Sequence, residues 1–260
     1  MPFTGKYIHG NSLIHQFNAQ GKIIVFIILI FTTVFTDSFF GYILLVAILG
    51  MIIILSKFHL KLIFSSIKYI WKFFIVIFIL NVLFFDGDTI LFQWKFIQLT
   101  KEGIHHGITI IFNVFIILIL ENIFTLTTEL TEMINGLEAL LMPLSYLKIP
   151  IEQAVLILTI SFQFIPTLLQ EGDTIRKAQT ARGADFESNH LHKKIMASGA
   201  LFIPVFIAAF KRADDLSIAM EARGFRDAKH RTQKRYSKIT ILEWAIIAVF
   251  LLLFIIEIYI

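Results

Sequence analysis

Histidine is the residue type in this sequence best suited to metal chemistry, because a neutral imidazole is the commonest metal ligand in proteins. His105 and His106 are adjacent, and three others stand in the first 60 residues, at His9, His15 and His59. Adjacent residues on a helix point in different directions, and no pair here has zinc-type spacing with an obvious third ligand. The chain also has no cysteine, which excludes thiolate catalysis and disulfides. We predict no metal and no other cofactor.

Carboxylates could perform acid–base chemistry or carry protons across a membrane. Asp214 and Asp215 are adjacent, but they stand beside two basic residues in a charged stretch, which favours a solvated or partner-facing surface. Glu121, Glu243 and Glu257 lie near the ends of apolar segments, where a carboxylate can mark a proton path, but no relay partners accompany them. We expect no catalytic residue. The alternative function, an integral membrane enzyme acting on a lipid or phosphate substrate, lacks a nucleophile or metal constellation.

The most informative pattern is a repeat of two segments. The first contains Phe164-Ile165-Pro166 and ends in Ala181-Arg182-Gly183, and the second contains Phe202-Ile203-Pro204 and ends in Ala222-Arg223-Gly224. The proline-to-alanine distances are 15 and 18 residues, which differ by less than one helical turn. Each segment predicts a long helix that stops at its glycine, because glycine accepts the left-handed backbone of a helix end. We expect the two prolines to act as helix breakers or hinges.

An arginine at such a helix end is suited to recognition and poorly suited to proton transfer. Its guanidinium is permanently charged and presents a rigid fork that can bind a carboxylate or carbonyls through two hydrogen bonds. The neighbouring alanines leave a bare face that another protein can approach closely. For a single arginine, a simple interaction with the helix dipole is an adequate explanation. Two matching endings favour a shared docking function.

These residues resemble the T component of energy-coupling factor transporters, which are importers of vitamins and metals. That family carries two A-R-G motifs, and further matching positions are Glu171, Ala178-Gln179, Ala219-Met220-Glu221 and Arg231-Thr232. Near the N-terminus, Gly10-Asn11-Ser12-Leu13-Ile14-His15 resembles a family segment that normally continues into Asp-Pro-Arg, whereas Asn18-Ala19-Gln20 stands here.

The resemblance implies a membrane scaffold that couples two ATP-binding cassette ATPases to the uptake of a vitamin or other micronutrient. A separate membrane subunit, the S component, captures that substrate. The two motifs, Ala181-Arg182-Gly183 and Ala222-Arg223-Gly224, would each seat in a groove of one ATPase. The resemblance also implies a multi-pass protein of the bacterial cell membrane. Independently, the chain has no G-x-x-x-x-G-K-[ST] loop, so we expect it to be a non-catalytic subunit that does not bind ATP by that route.

The composition agrees with a membrane protein. Hydrophobic residues make up 57% of the chain and charged residues only 16%, against about 25% charged in a typical soluble domain. Residues 171–240 hold 14 of the 23 Lys and Arg residues and 8 of the 19 Asp and Glu residues. A basic segment beside membrane spans usually lies in the cytoplasm. No basic run is interleaved with stacking aromatics, so we do not expect nucleic acid as a partner.

The apolar segments predict an all-α fold with about five transmembrane helices. The run from Ile23 to Leu55 is too long for one span, and the polar residues Thr36-Asp37-Ser38 near its middle predict two spans joined by a turn. Further spans are expected at Phe73–Phe85, Ile104–Phe124 and Ile241–Ile260.

The segments between the spans indicate the orientation. Residues 56–72 carry four lysines and no acid, which predicts a cytoplasmic loop and a cytoplasmic N-terminus. The segment Asp86–Gly103 reads as an external loop. The segment Thr125–Lys148 places apolar residues on one helical face and predicts an amphipathic helix in the membrane interface. Those apolar residues are Leu130, Met133, Ile134, Leu137, Leu140 and Leu141.

The predicted organisation has three parts. Residues 1–124 form an N-terminal membrane domain of about four spans. Residues 125–240 form a cytoplasmic or interfacial coupling domain, in which the two repeat segments are long helices over Ile151–Ala181 and Ile195–Ala222. Residues 241–260 form a C-terminal transmembrane helix.

Overall fold

The computed structural model describes residues 7–65, 67–85, 87, 89–94, 97–188, 190–225 and 239–259. Two short strands, β1 and β2, occupy Ile90–Trp94 and Ile97–Thr100, and a 3₁₀ helix covers Met142–Leu147. The α-helices are α1 (Leu13–Gln16), α2 (Ala19–Phe35), α3 (Phe39–Ser56), α4 (Leu60–Ser65), α5 (Ile67–Phe84), α6 (Lys101–Thr127), α7 (Leu130–Leu141), α8 (Ile151–Ala181), α9 (Leu191–Ala222) and α10 (Ile241–Tyr259).

The helices confirm an all-α, multi-pass membrane protein. Within the described ranges, five helices are long and apolar enough to cross a membrane, namely α3, α6, α8, α9 and α10. Helix α2 and the Ile70–Phe84 part of α5 are apolar but shorter. The number of candidate spanning helices agrees with the prediction, but the helices themselves differ. Helices α8 and α9 meet the criterion of length and apolar composition, whereas α2 and α5, which correspond to expected spans, do not.

The predicted turn between the first two spans is confirmed. Helix α2 ends at Phe35 and α3 begins at Phe39. The Thr36 hydroxyl donates a hydrogen bond to the Thr32 carbonyl at 2.6 Å, and the Tyr42 hydroxyl donates to the Thr36 carbonyl at 2.8 Å. The hydroxyl and the carbonyl of Thr36, which is buried, are therefore both hydrogen-bonded inside the protein.

The prediction of a loop over residues 56–72 is wrong in part. Helix α4 lies within it, and α5 begins at Ile67, six residues before the expected start of the third span. Lysine forms helices readily, and its long stem can pack while the charge stays in water. The side chains of Lys61, Lys68 and Lys72 are all exposed, which fits that behaviour.

The expected external loop Asp86–Gly103 contains a β-hairpin that the sequence analysis missed. Strands β1 and β2 pair antiparallel, with Ile90 opposite Thr100. Helix α6 follows directly, and the Thr100 hydroxyl caps its first turn by accepting a hydrogen bond from the Gly103 N–H at 3.1 Å. The fourth span is therefore a helix of 27 residues that starts at Lys101 and ends at Thr127, beyond both predicted limits.

The described chain divides into two compact units. The first unit comprises the described residues of Gly5–Leu137 and Ser237–Ile260, and the second comprises those of Glu138–Tyr236. In the first unit, the Asn122 side-chain amide donates to the Ile63 carbonyl at 2.5 Å, and the Phe26 and Phe124 rings stack at 4.9 Å. These contacts border a buried apolar core built by α2, α3, α4 and α6, which consists of Leu29, Leu45, Leu49, Ile63, Ile116, Ile119, Leu120 and Ile123.

The second unit is dominated by α8 and α9, which pack against each other. Helix α8 has the predicted limits, whereas α9 begins four residues before the expected Ile195. Pro166 and Pro204 lie inside these helices, so the prediction that they break the helices is wrong. A proline removes one backbone hydrogen bond, and the long helical flanks on both sides tolerate that loss. A hinge role for the two prolines stays a prediction.

Candidate functional site

The first candidate tip is the C-terminal end of α8. The Arg182 N–H donates to the carbonyls of Ala178 and Gln179 at 3.2 and 3.1 Å, so this residue is the C-cap. Gly183 follows with φ +93°, and its N–H donates to the Thr180 carbonyl at 3.0 Å. The Ala184 N–H then donates to the Gln179 carbonyl at 3.0 Å. This pair of reversed hydrogen bonds is the Schellman motif.

The second tip, at the end of α9, repeats the same bonds. Gly224 has φ +75° and donates to the Glu221 carbonyl at 2.9 Å, and the Phe225 N–H donates to the Met220 carbonyl at 3.0 Å. The Arg223 N–H donates to the carbonyls of Ala219 and Met220 at 3.2 Å. The two A-R-G segments therefore have the same backbone geometry.

Glycine is required at both tips because of the backbone conformation there, and not because a side chain would lack space. No atom lies within 4 Å of where a Cβ would stand on Gly183 or on Gly224. Both φ values are in the left-handed region, which costs a residue with a Cβ about 1–2 kcal/mol. The two glycines therefore fix where each helix stops and how its arginine is presented.

Both arginine side chains are open to solvent. Arg182 and Arg223 are exposed, and among the described residues neither guanidinium makes a hydrogen bond or an ion pair. The motif alanines, Ala181 and Ala222, are exposed as well. Each tip thus presents a permanently charged guanidinium and an exposed alanine to solvent.

Comparison with known proteins decides the family. A family model described as "Cobalt transport protein" (CbiQ) matches residues 10–236. Relatives named "Energy-coupling factor transporter transmembrane protein EcfT" share about one residue in three with this chain. The protein of Ruminiclostridium cellulolyticum is 36% identical over 252 residues, which cover 95% of this chain and 93% of that protein. The chain belongs to the family of energy-coupling factor transporter transmembrane proteins.

Two further relatives extend over similar lengths. The protein of Clostridium kluyveri is 35% identical over 237 residues, covering 91% of this chain and 88% of its own length. The protein of Bacillus subtilis is 34% identical over 231 residues, covering 89% and 87%. The chain is therefore a T component of an energy-coupling factor transporter, as the sequence resemblance implied, and both A-R-G tips lie within the matched region.

Among its described residues, the T component has an ion pair that sequence reasoning did not identify. Arg212 Nε donates to Glu171 Oε2 at 3.0 Å and joins α9 to α8. Glu171 stood out only as a position shared with the family, and Arg212 only as a neighbour of two aspartates. Asp214 and Asp215 are exposed, as a solvated or partner-facing surface requires.

The segment after the first tip folds back on its own helix. The Arg176 guanidinium lies 5.6 Å from the centroid of the Phe186 ring, which is a cation–π contact. This contact holds the chain after Gly183 close to the last turns of α8. The family position Arg231-Thr232 lies outside the described residues.

The diverged N-terminal segment has a structural role in the first unit. The Asn18 side chain caps α2 by accepting a hydrogen bond from the Gln20 N–H at 3.0 Å. The Asn18 N–H donates to Glu243 Oε1 at 2.7 Å, and Glu243 Oε2 accepts from the N–H and the hydroxyl of Thr240. Glu243 is 6% exposed, so its carboxylate joins the start of α10 to the start of α2.

The remaining candidate residues are dispersed. His15 contacts the Ser12 hydroxyl at 2.6 Å and the Ile8 carbonyl at 3.0 Å, and His106 contacts the Asn81 side chain at 3.3 Å. In the described part of the chain, no three His, Asp or Glu side chains come together in a way that could hold a metal ion. The Glu121 carboxylate accepts a hydrogen bond from the Thr125 hydroxyl.

Proposed function

We propose that this T component couples ATP hydrolysis by two ATP-binding cassette subunits to uptake of a vitamin or other micronutrient. The observation that carries the proposal is the pair of tips. Two helices of one chain end in the same sequence, the same backbone geometry and an exposed arginine without a described partner. A matched pair suits two similar partners, with one ATPase at each tip.

The chemistry of the tips supports mechanical coupling. A guanidinium that fits a carboxylate with two hydrogen bonds forms a joint of defined orientation. Helices of 31 and 32 residues are about 47 Å long, so a displacement of the ATPases would be delivered to the apolar halves of α8 and α9. The chain has no phosphate-binding loop of the G-x-x-x-x-G-K-[ST] type, which supports a non-catalytic role.

An apolar face of α9 supports contact with the S component. Phe202, Phe206 and Phe210 lie four residues apart and are 70%, 65% and 58% exposed. Residues at this spacing share one helical face. An exposed face this apolar needs either lipid or another membrane protein against it, and we propose that the S component packs there.

The charge distribution supports an orientation with the tips in the cytoplasm. Lys57, Lys61, Lys68 and Lys72 are all exposed around α4 and the start of α5, and no acidic residue lies among them. Positive charge beside spans favours the cytoplasmic side. Residues 171–240, which include both tips, hold 14 of the 23 Lys and Arg residues, so the same rule applied to them favours the compartment that contains ATP.

The test is purification of the tagged chain from its native membrane, followed by identification of every bound subunit. We expect two ATP-binding cassette subunits and at least one small membrane protein, with ATP hydrolysis only when the ATPases are bound. ATP hydrolysis by the isolated chain, or the absence of any ATP-binding cassette subunit, would contradict the proposal.

A further inference from the structure

The ion pair between Glu171 and Arg212 stands at the same distance from each tip. Glu171 precedes Arg182 by eleven residues, and Arg212 precedes Arg223 by eleven residues. The helical stretches Glu171–Arg182 and Arg212–Arg223, here called the two arms, are each about 16 Å long by helical rise. The only described ion pair therefore joins α8 and α9 at matching points of two arms of equal length.

The same spacing also fixes the direction of the tips. Eleven residues turn a helix through about 1100°, which is only about 20° more than three full turns. Glu171 and Arg182 consequently leave α8 on nearly the same side, and so do Arg212 and Arg223 on α9. The ion pair lies at one end of the two arms and the tip arginines at the other. By fixing the rotation of α8 and α9 about their axes, the ion pair therefore also fixes the directions of Arg182 and Arg223.

The surroundings make this contact a defined joint. The Glu171 and Arg212 side chains are 30% and 40% exposed, so the pair is partly shielded from water. On α8 the neighbouring Gly172 contacts α9, because Val205 Cγ2 lies 3.8 Å from the position that a Cβ would take on Gly172. Val205 precedes Arg212 by seven residues, so this second contact lies about two helical turns further from the tip of α9. A partly exposed ion pair contributes little stability by itself, so it orients the helices together with the Gly172–Val205 contact. Two contacts at different levels restrict the interhelical angle more than one contact does.

We propose that Glu171 and Arg212 are positioning residues that set the separation and relative orientation of the two A-R-G tips. This inference rests on the proposed function for its consequence in transport, but the geometry can be measured without any ATPase. With the joint intact, the two arms present their arginines at a fixed distance, and two ATPases can be engaged together. Without it, the arms open or rotate independently.

The distance between the tips can be measured by electron–electron double resonance in the full-length chain. The natural sequence has no cysteine, so nitroxide labels can be placed at Thr180→Cys and Glu221→Cys, two exposed positions that each precede a tip arginine by two residues. We expect a narrow distance distribution in the native background. Glu171→Arg or Arg212→Glu should broaden it at least twofold, and the exchanged pair Glu171→Arg with Arg212→Glu should restore it.

Matched controls lie beside each partner. Asp173 on α8 and Lys211 on α9 are exposed and make no ion pair with any described residue, so Asp173→Arg and Lys211→Glu should leave the distribution unchanged. Unchanged distances in the two single variants, or no restoration in the exchanged pair, would overturn the inference. Either result leaves the proposed function standing.

The second readout is the complete transporter with its ATPases. Each single charge reversal should lower uptake at least threefold while the amount of protein in the membrane stays constant, and the exchanged pair should recover most of it. If the distances change as expected but uptake does not, the ion pair has no role in coupling, and that part of the inference is wrong. If no ATPase binds the native chain at all, the proposed function fails while the distance result remains.

Discussion

The backbone at Arg182 and Arg223 is the same within three degrees, with φ and ψ of −85° and 3° at Arg182 and −87° and 6° at Arg223. The residues that follow the two glycines differ, since Ala184 stands after one and Phe225 after the other. The shared geometry therefore comes from the local hydrogen bonds and the glycines. It is a property of the A-R-G segment itself.

Replacing the tip arginines should detach the ATPases. We expect Arg182→Ala and Arg223→Ala each to lower retention of one ATPase at least tenfold, because an arginine anchor commonly contributes about 2 kcal/mol or more to an interface. The double variant should lose both ATPases. Quantitative mass spectrometry of the purified complexes measures this.

The matched control is Lys177→Ala, which removes an exposed charge from the same end of α8 and should retain both ATPases. Arg182→Lys and Arg223→Lys should recover only part of the binding, because a point charge does not reproduce the guanidinium fork. Full retention in the double alanine variant would refute the docking role.

Replacing the tip glycines should weaken the same interaction through the backbone. Gly183→Ala and Gly224→Ala each force a Cβ into the left-handed region, at a cost of about 1 kcal/mol or more. We expect a lower melting temperature of the purified protein and lower ATPase retention. Gly199→Ala is the control, because Gly199 lies inside α9 with open space around its Cβ position, and alanine there favours the helix by about 0.5–1 kcal/mol. Equal effects at all three glycines would contradict this account.

Removing the Glu243 carboxylate should destabilise the first unit. Glu243→Ala removes the carboxylate that accepts hydrogen bonds from the N–H groups of Asn18 and Thr240, and a hydrogen bond to a charged group contributes about 1.5–3 kcal/mol. We expect a clear fall in melting temperature in detergent. Glu121→Ala removes an exposed carboxylate and should have a much smaller effect. Similar losses for both variants would argue against a special role for Glu243.

Helix α7 should react with a thiol reagent in a helical pattern. In the cysteine-free background, single cysteines at Thr131 and Glu132 are expected to react with a membrane-impermeant maleimide from the cytoplasmic side, because both positions are exposed. Cysteines at Ile134 and Glu138 should be protected, because both positions are buried. Protection at all four positions would indicate a membrane span in place of an interfacial helix.

Local signals in the sequence predicted much of the fold. Glycine after Arg182 and Arg223 predicted both tips, and Thr36 within an apolar run predicted the turn between α2 and α3, because both features depend on neighbouring residues. The start of α5 could not be predicted in this way. Lysine is compatible with a helix and with a loop, so Lys68 and Lys72 gave no helix boundary.

Contacts between distant residues account for most of what was missed. Glu171 and Arg212 are 41 residues apart, and Asn18 and Glu243 are 225 residues apart. No periodicity or motif connects such positions, because their meeting depends on how whole helices pack. The hairpin of β1 and β2 was missed because its apolar stretches are short and stand in a segment read by its charges as a loop.

The bond between Asn18 and Glu243 has a consequence for how this protein is made. Helix α2 has its packing partner, α10, more than 200 residues later in translation. Helix α2 must therefore remain without the packing contacts of α10 while the entire second unit is synthesised. The first unit is thus completed late in biogenesis, and a stop codon just before Ile241 would leave the start of α2 without the Glu243 carboxylate.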